Sequence, residues 1–396
     1  LSAKNKKVMV IGGGIAGLTA AWELSRFHID VELIEKTPFL GGYAIRYGCK
    51  ATDQCLQCGA CTVEAMLKNV VEEPKIKVHL TTKVEKINRK KRISVHLKKS
   101  SYQPEPITGG VIRGYSKNNF PLHVIVDKKK CEENPDAVPV GAVELGTMGF
   151  GGKIDVDAVI LASGFHPFDA EKKGTYGYKK FSNVINGLDL EFLMREHGAA
   201  VKPSDGKTAE KIAFIQCVGS RDERLGNLWC SQVCCPYALR MAEKTKHLNP
   251  DAEITVFYMD IQNVGKDYSG FYKKCKTDFR FIRNIPVDVF PMGNGSLSMR
   301  YLNEADGLCM NEEFDLVVLS VGIMPGPDNR SLSDVFGLTL NEDGFFAGMD
   351  KLNTTSTLKD GIFLAGTVTG PKNIADSKAH AGQAAGEVIK YLGVSG

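Results

Sequence analysis

Eight of the eleven cysteines in this 396-residue chain fall into two groups of four. Cys49, Cys55, Cys58 and Cys61 form the first, and Cys217, Cys230, Cys234 and Cys235 the second; Cys131, Cys275 and Cys309 stand apart. An odd total, bunched at metal-ligand spacings, favours a reducing compartment over a disulfide framework. The second group reads C-x12-C-x3-C-C. Vicinal Cys234 and Cys235 suit a cubane, whose irons occupy separate corners, whereas structural zinc usually takes two spaced C-x-x-C knuckles. The spacing predicts a [4Fe–4S] cluster, with zinc, a redox disulfide or inert core thiols as the competing readings. In the first group, Cys55-x-x-Cys58-x-x-Cys61 has the spacing of three ferredoxin ligands, but Thr62-Val63-Glu64 stands where a fourth Cys-Pro would come. Cys49 is the nearest candidate for the fourth ligand of a second [4Fe–4S] cluster and Cys131 the next. A three-cysteine cluster, zinc or no metal are the alternatives.

A second chemistry sits at the start of the chain. Lys7–Ile11 reads as a short apolar strand, followed by Gly12-x-Gly14-x-x-Gly17, a helix through Leu18, Ala21 and Leu24, and a strand Val31–Ile34 ending on Glu35. Gly12 allows the tight turn, Gly14 lets the backbone approach a pyrophosphate, and Gly17 lets helix pack on strand. The N–H groups of Ile15 and Ala16 open the helix towards the phosphates, and Glu35, with Lys36 beside it, is placed for the ribose hydroxyls. Gly41-Gly42 follows the acidic strand, as in flavoproteins with two dinucleotide-binding domains. Near the C-terminus, Gly361–Gly366 reads as strand and turn, and a helix rich in small residues runs from about Ile374 to Leu392. Val156–Gly164 and Asp315–Gly322 read as the strands that return the chain from one domain to the other. These later segments favour FAD over NAD, held by Gly12, Gly14, Ile15, Ala16, Gly17, Glu35, Lys36, Gly41, Gly42, Gly164, Gly366 and Ile374. A flavin exchanges electrons in pairs and an iron–sulfur cluster one at a time, so a chain with both is a junction in an electron path.

Both chemistries need a scaffold. Lys211–Gln216 is the strand where a pyridine-nucleotide domain would begin, yet Cys217-Val218-Gly219-Ser220-Arg221-Asp222 follows in place of a glycine fingerprint. Cys230, Cys234 and Cys235 then precede a helix through Ala238, Met241 and Ala242, and a strand Ile254–Met259 comes next. The pattern predicts an α/β protein with the two-dinucleotide-domain architecture of the glutathione and thioredoxin reductases, in which thiols have replaced the second phosphate loop. The expected domains are 1–204 for the first part of the FAD domain, including the cysteine segment 49–61 and an insertion over 101–150. A second Rossmann-like domain over 205–330 and the closing part of the FAD domain over 331–396 complete it. Within the insertion, Pro104–Val126 is a Pro- and Gly-containing surface stretch. Cys131 with Pro139-Val140-Gly141-Ala142 has the look of a ferredoxin module that keeps one cysteine. Cys275 and Cys309 read as packing residues.

A net charge of +4 is too small to argue for nucleic acid, and Lys86–Arg92 and Lys128–Lys130 read as solvated basic runs. No apolar stretch approaches the ~20 residues of a membrane span. No signal peptide is visible, and the start of the protein is expected slightly upstream of Leu1. The expected location is cytoplasmic, or peripheral to a membrane through partner subunits.

The segment Gln216–Asp222 with Cys230-Ser231-Gln232-Val233-Cys234-Cys235 closely resembles the cluster loop of the heterodisulfide reductase A subunits. Pro203–Gly206, Asp260-Ile261 and Gly370-Pro371-Lys372-Asn373-Ile374 resemble that family too, so the likeness spans most of the chain. The resemblance implies a [4Fe–4S] cluster on the second cysteine group beside FAD, a homodimer, and partner subunits with further clusters. It also implies a cation near the flavin where this chain has Arg240 in place of lysine, and an acid near the flavin that matches Asp189. Cys49-Lys50-Ala51-Thr52 with Cys55, Cys58 and Cys61 looks like the bacterial heterodisulfide-reductase-like subunit of sulfur oxidation. The flavin subunit of the quinone-interacting complex of sulfate reduction is the rival, and an NAD(P)H-dependent flavin reductase is a third reading. The implied role is an oxidoreductase subunit that moves electrons between FAD and partner iron–sulfur subunits.

Overall fold

The computed structural model describes residues 6–100, 112–114, 124–126, 149–262 and 268–394. The chain divides into two compact units: residues 1–47, 59–165 and 325–396 make one, and residues 48–58 and 166–324 the other.

The first unit opens with β1 (Lys7–Ile11), buried from Val8 onward, then α1 (Ile15–Ser25) and β2 (Asp30–Ile34). Next come α2 (Ala60–Glu72), whose N-cap Gly59 is left-handed at φ +77, and β3 (Ile76–His79). An antiparallel layer of β4 (Thr82–Arg89), β5 (Ile93–Lys99) and β6 (Gly152–Val156) follows, and β7 (Ala158–Leu161) returns to the main sheet. The strands of that sheet are near-continuous aliphatic runs, the signature of a sheet covered on both faces.

In the second unit, β8 (Val184–Asn186) leads into α3 (Gly187–His197), and β9 (Lys211–Val218) into α4 (Cys234–Leu248). β10 (Glu253–Phe257), α5 (Tyr268–Asp278) and β11 (Arg280–Ile282) continue the alternation. A three-stranded antiparallel sheet of β12 (Asp288–Pro291), β13 (Leu297–Leu302) and β14 (Cys309–Phe314) precedes β15 (Leu316–Val321). The five parallel strands stand in the order β8-β15-β9-β10-β11. One face of β9, through Ile212 and Phe214, shares a core with Ala238, Leu239 and Ala242 of α4. The other face, through Ala213 and Ile215, packs on Val289, Leu297 and Met299 of the antiparallel sheet.

The chain then re-enters the first unit with α6 (Asn329–Phe336), β16 (Ile362–Leu364) and α7 (Ile374–Leu392). The completed parallel sheet runs β16-β7-β1-β2-β3. Ala381, Ala384 and Ala385 of α7 are fully buried in one core with Ala20 and Ala21 of α1; small side chains let the two helices lie close.

The boundaries differ from those expected over 1–204, 205–330 and 331–396. The second unit starts at residue 166, because Val184–Asn186 pairs in parallel with Val317–Leu319 and brings α3 with it. The first unit resumes at 325 rather than 331. The segment Gly48–Cys58, expected in the first domain, groups with the second unit. Of the insertion, only the strands Ile112–Gly114 and Val124–Val126, paired antiparallel, and residues 149–150 are described. Cys131 and Pro139–Ala142 lie outside the described residues.

Candidate functional site

In the first unit the turn after β1 is built on steric need. Gly12 has φ +108, and a Cβ there would lie 2.3 Å from the Ala162 carbonyl oxygen. At Gly17 a Cβ would sit 1.8 Å from the Gly12 carbonyl oxygen, so α1 closes on the turn only without a side chain. Gly14 is different: its backbone is extended, at φ −74 and ψ 179, and a Cβ would meet nothing within 4 Å. Open space thus faces the first N–H groups of α1, at Ile15 and Ala16, which have no partner inside the helix. Gly41 N–H donates to the Gly13 carbonyl at 2.7 Å, and Gly42 stands close enough that its Cβ would be 3.1 Å from Gly14 Cα.

Glu35 is buried at the tip of β2 and accepts from Gly13 N–H at 2.6 Å and Thr37 N–H at 2.8 Å. Burial pushes its carboxyl up, and these two bonds pull the other way. Lys36 forms an ion pair with Asp328. Beside the turn, the Ser163 hydroxyl is buried without a partner, and Gly164 (φ +78) leaves open space. Gly366 (φ +73) abuts Ala16, where a Cβ would be 2.4 Å from the Ala16 Cβ. Its N–H donates to His380 Nδ1 at 2.9 Å, while His380 Nε2 meets Thr354 Oγ1 at 2.9 Å. Burial, then Lys372, push the His380 pKa down to about 4, so the ring is neutral and Nδ1 is free to accept. Ile374 opens α7 and packs against Gly59. The glycine cradle, the open space at Gly14 and the orphaned Ser163 hydroxyl fit a bound dinucleotide.

The second unit has the same strand–loop–helix order with different contents. β9 carries a bulge between Ile215 and Val218, and Cys217 within it is left-handed at φ +58. The neighbouring Cys217 and Cys235 thiols, together with burial, hold the Cys234 thiol well up. The Cys217 thiol is drawn down by the neighbouring Cys234 thiol and the Arg221 guanidinium, and that of Cys235 by neighbouring Cys234. Burial pushes the Cys230 thiol up, and its sulfur accepts from Gln232 N–H at 3.3 Å. Cys234 and Cys235 form the first residues of α4, where the helix N-terminus favours negative charge. Arg221 is fixed by an ion pair to Asp260. Around the thiols, both amide atoms of Gln216 and the Ser220 hydroxyl are buried without partners. Among the described residues no three His, Cys, Asp or Glu side chains stand at metal-ligand spacing. Four cysteines around one loop, an adjacent guanidinium and orphaned buried polar groups fit a thiolate-bound metal group in chemistry.

The segment Gly48–Cys58 is laced to α3 and α4. Lys50 and Glu191 form an ion pair with both side chains almost fully buried, at 3% and 5% exposed, and Glu191 also accepts from Gly48 N–H at 3.1 Å. Arg240 Nε donates to the Leu56 carbonyl at 2.7 Å and Lys244 Nζ to the Ala51 carbonyl at 2.8 Å. His247 stands 4.0 Å from Asp53. Arg240, Lys244 and His247 are spaced by four and three residues, so they share one face of α4. Cys49, Cys55 and Cys58 therefore ride on the second unit, while Cys61 lies in the first turn of α2 in the first unit. Cys49, Cys55 and Cys61 are exposed.

A family model described as an NAD(P)-binding Rossmann-like domain matches residues 10–65. The chain is 33% identical to the A subunit of the H(2):CoB-CoM heterodisulfide,ferredoxin reductase of Methanothermobacter marburgensis, over 96% of this chain and 63% of that protein. It is 32% identical to the iron-sulfur A subunit of the CoB--CoM heterodisulfide reductase of Methanocaldococcus jannaschii, over 97% of this chain and 64% of that protein. Along nearly its whole length, the chain is similar to the A subunits of heterodisulfide reductases. It spans a little under two thirds of the length of these relatives. Solved thioredoxin reductases share the fold. That of T. acidophilum aligns with TM-score 0.56 at 14% identity, over 98% of this chain and 99% of the other. That of Lactococcus lactis aligns with TM-score 0.56 at 16% identity, over the same shares.

The likeness to the heterodisulfide reductase A subunits singles out Arg240 and Asp189, and the structure assigns each a contact set. Asp189 closes a capping box with Asn186 at the start of α3 and accepts from Tyr178 Oη at 2.9 Å. Arg240 holds the Leu56 carbonyl and lies over the Phe271 ring; burial pushes its pKa down. Gln216, Ser220 and Ser163 are absent from the sequence-derived site. Gln216 had a signal: a polar residue inside an apolar strand run. Among the described residues no helix is long and apolar enough to cross a membrane.

Proposed function

We propose that the chain is the FAD- and iron–sulfur-dependent electron-transfer subunit of a heterodisulfide-reductase-like oxidoreductase. The observation that carries this reading is the replacement of a phosphate loop by four thiols at the mouth of a Rossmann-type strand, with the glycine turn kept intact in the other unit. Gly12, Gly14 and Gly17 with the α1 N-terminus would take the FAD pyrophosphate, Glu35 the ribose, and the Gly366–Ile374 segment the closing contacts. Cys217, Cys230, Cys234 and Cys235 would hold one [4Fe–4S] cluster, and Cys49, Cys55, Cys58 and Cys61 a second. The flavin, when bound, converts between paired and single electrons, and the clusters carry single ones. The chain's own residues shape this. Arg221 and the α4 N-terminus offset thiolate charge, burial excludes water from Cys234 and Cys235, and neutral His380 fixes the Gly366 turn.

Partners would be iron–sulfur subunits that hold the disulfide-reducing site, and the chain would pair as a homodimer. The Cys49–Cys61 pattern supports a complex of sulfur metabolism of the bacterial sulfur-oxidising type. Iron, sulfide and FAD analysis of the purified chain tests the reading. Cys234→Ala should remove about four irons per chain and leave the flavin in place, since that is the nuclearity of one such cluster. Iron content unaltered by that substitution, or fast flavin bleaching by NADH, would favour a pyridine-nucleotide reductase instead.

A further inference from the structure

Gln216 is 1% exposed, and neither its amide nitrogen nor its amide oxygen has a hydrogen-bond partner. A buried amide left this way has lost its hydration with nothing in return. A protein keeps such a group where something outside the polypeptide supplies the partner.

The bulge in β9 says which way the side chain points. In a regular strand, Ala213, Ile215 and residue 217 would share one face, with residues 212, 214, 216 and 218 on the other. Ala213 and Ile215 do pack in the core against the antiparallel sheet, but Val218 joins them there, and Cys217 does not. The register shift between Ile215 and Val218 accounts for this. It leaves Gln216 and Cys217 together on the face that Ile212 and Phe214 present to α4. Cys217 on that face neighbours Cys234, the first residue of α4. The orphaned amide therefore lies on the same side of the sheet as the thiols, one residue from the first of them. Ser220, three residues on, is fully buried, and its hydroxyl is also without a partner.

We propose that the Gln216 amide N–H is a positioning donor to the metal group held by Cys217, Cys230, Cys234 and Cys235. It would bond to a cluster sulfide or to a ligating sulfur and bias the cluster towards its reduced form. The physical reason is charge. One-electron reduction adds a negative charge to the cluster and its thiolates, so a fixed donor gains more in the reduced state than in the oxidised state. This rests on the reading of the four thiols as cluster ligands.

The test uses the whole reconstituted chain and two variants, Gln216→Leu and Gln216→Met. Both remove the donor without adding charge; the second keeps the length of the side chain. EPR-monitored redox titration should show both variants reduced less readily at this cluster. The expected loss is roughly tenfold in the reduction equilibrium, about 59 mV for a one-electron couple. Resonance Raman Fe–S stretches that shift in D₂O in the parent should shift less in both. Should Gln216→Leu fail to fold, Gln216→Met carries the comparison. Iron retained with the midpoint and the D₂O shift unchanged would overturn the inference while leaving the cluster reading intact. A parent chain that takes up no iron on these cysteines would overturn both.

Discussion

The turn after β1 and the loop after β9 begin alike and diverge at once. Each follows a buried strand of a five-stranded parallel sheet, and each leads to a helix on one face of that sheet. In the first unit the helix starts within four residues of the strand, and glycine is compulsory where backbone meets backbone. In the second, fifteen residues separate Val218 from Cys234, and left-handed Cys217 joins left-handed Gly219 in making the bend. A left-handed non-glycine residue is strained, and such strain is kept where the site needs that side chain. The contrast teaches that one skeleton offers two ways to face a ligand: bare backbone at a helix end, or side-chain donors on a bulge.

Within the first turn, the largest expected effects separate fold from ligand. Gly17→Val should prevent stable folding of the first unit, because even a Cβ meets the Gly12 carbonyl at 1.8 Å. Gly14→Val should fold, since nothing lies within 4 Å of its Cβ, yet bind no flavin. Denaturation curves and the flavin absorbance of the purified variants check both. A Gly14→Val protein with full flavin would break the comparison.

A smaller effect concerns the second unit's cysteine segment. Lys50→Met takes the lysine cation away from the buried Glu191 carboxylate, at a cost of about 3–5 kcal/mol. Replacing both, Lys50→Met with Glu191→Met, should recover part of that loss, which urea titration at neutral pH would read out. Equal destabilisation in the single and double variants would mean that the pair does not fasten Gly48–Cys58.

The smallest effect is a pH dependence confined to the first unit. His380 has a folded-state pKa of about 4, below its ordinary 6.5. The unfolded chain binds the extra proton between these values, so stability is full above pH 6.5 and falls as the pH drops towards 4. The full loss is about 3 kcal/mol at the low end. His380→Asn should lack this component, visible as a flatter difference curve in denaturation at pH 7.5 and pH 4.5.

Much of this was legible because it rests on local chemistry. β1 runs over Lys7–Ile11 and α7 over Ile374–Leu392, as the apolar runs and small-residue spacing predict. The convergence of Cys217 with Cys234 and Cys235 follows from a strand and helix that share a loop. The membership of Gly48–Cys58 was not legible, since it depends on ion pairs and carbonyl contacts to residues 141 to 193 positions away. No local pattern announces Glu191 or Arg240 as partners of a loop so far upstream. The orphaned amide of Gln216 was equally hidden. Alternation alone puts residues 216 and 217 on opposite faces, and only the bulge unites them.

The lacing of Gly48–Cys58 onto α3 and α4 sets an order of events during synthesis. The last anchor, His247, emerges about 190 residues after Cys58. At roughly 5–20 residues per second, the ribosome takes about ten to forty seconds to make it. Throughout that interval Cys49, Cys55 and Cys58 are on the nascent chain without the helix that seats them. The seating of this segment, and of its three cysteines, is therefore complete only after the middle of the chain has folded.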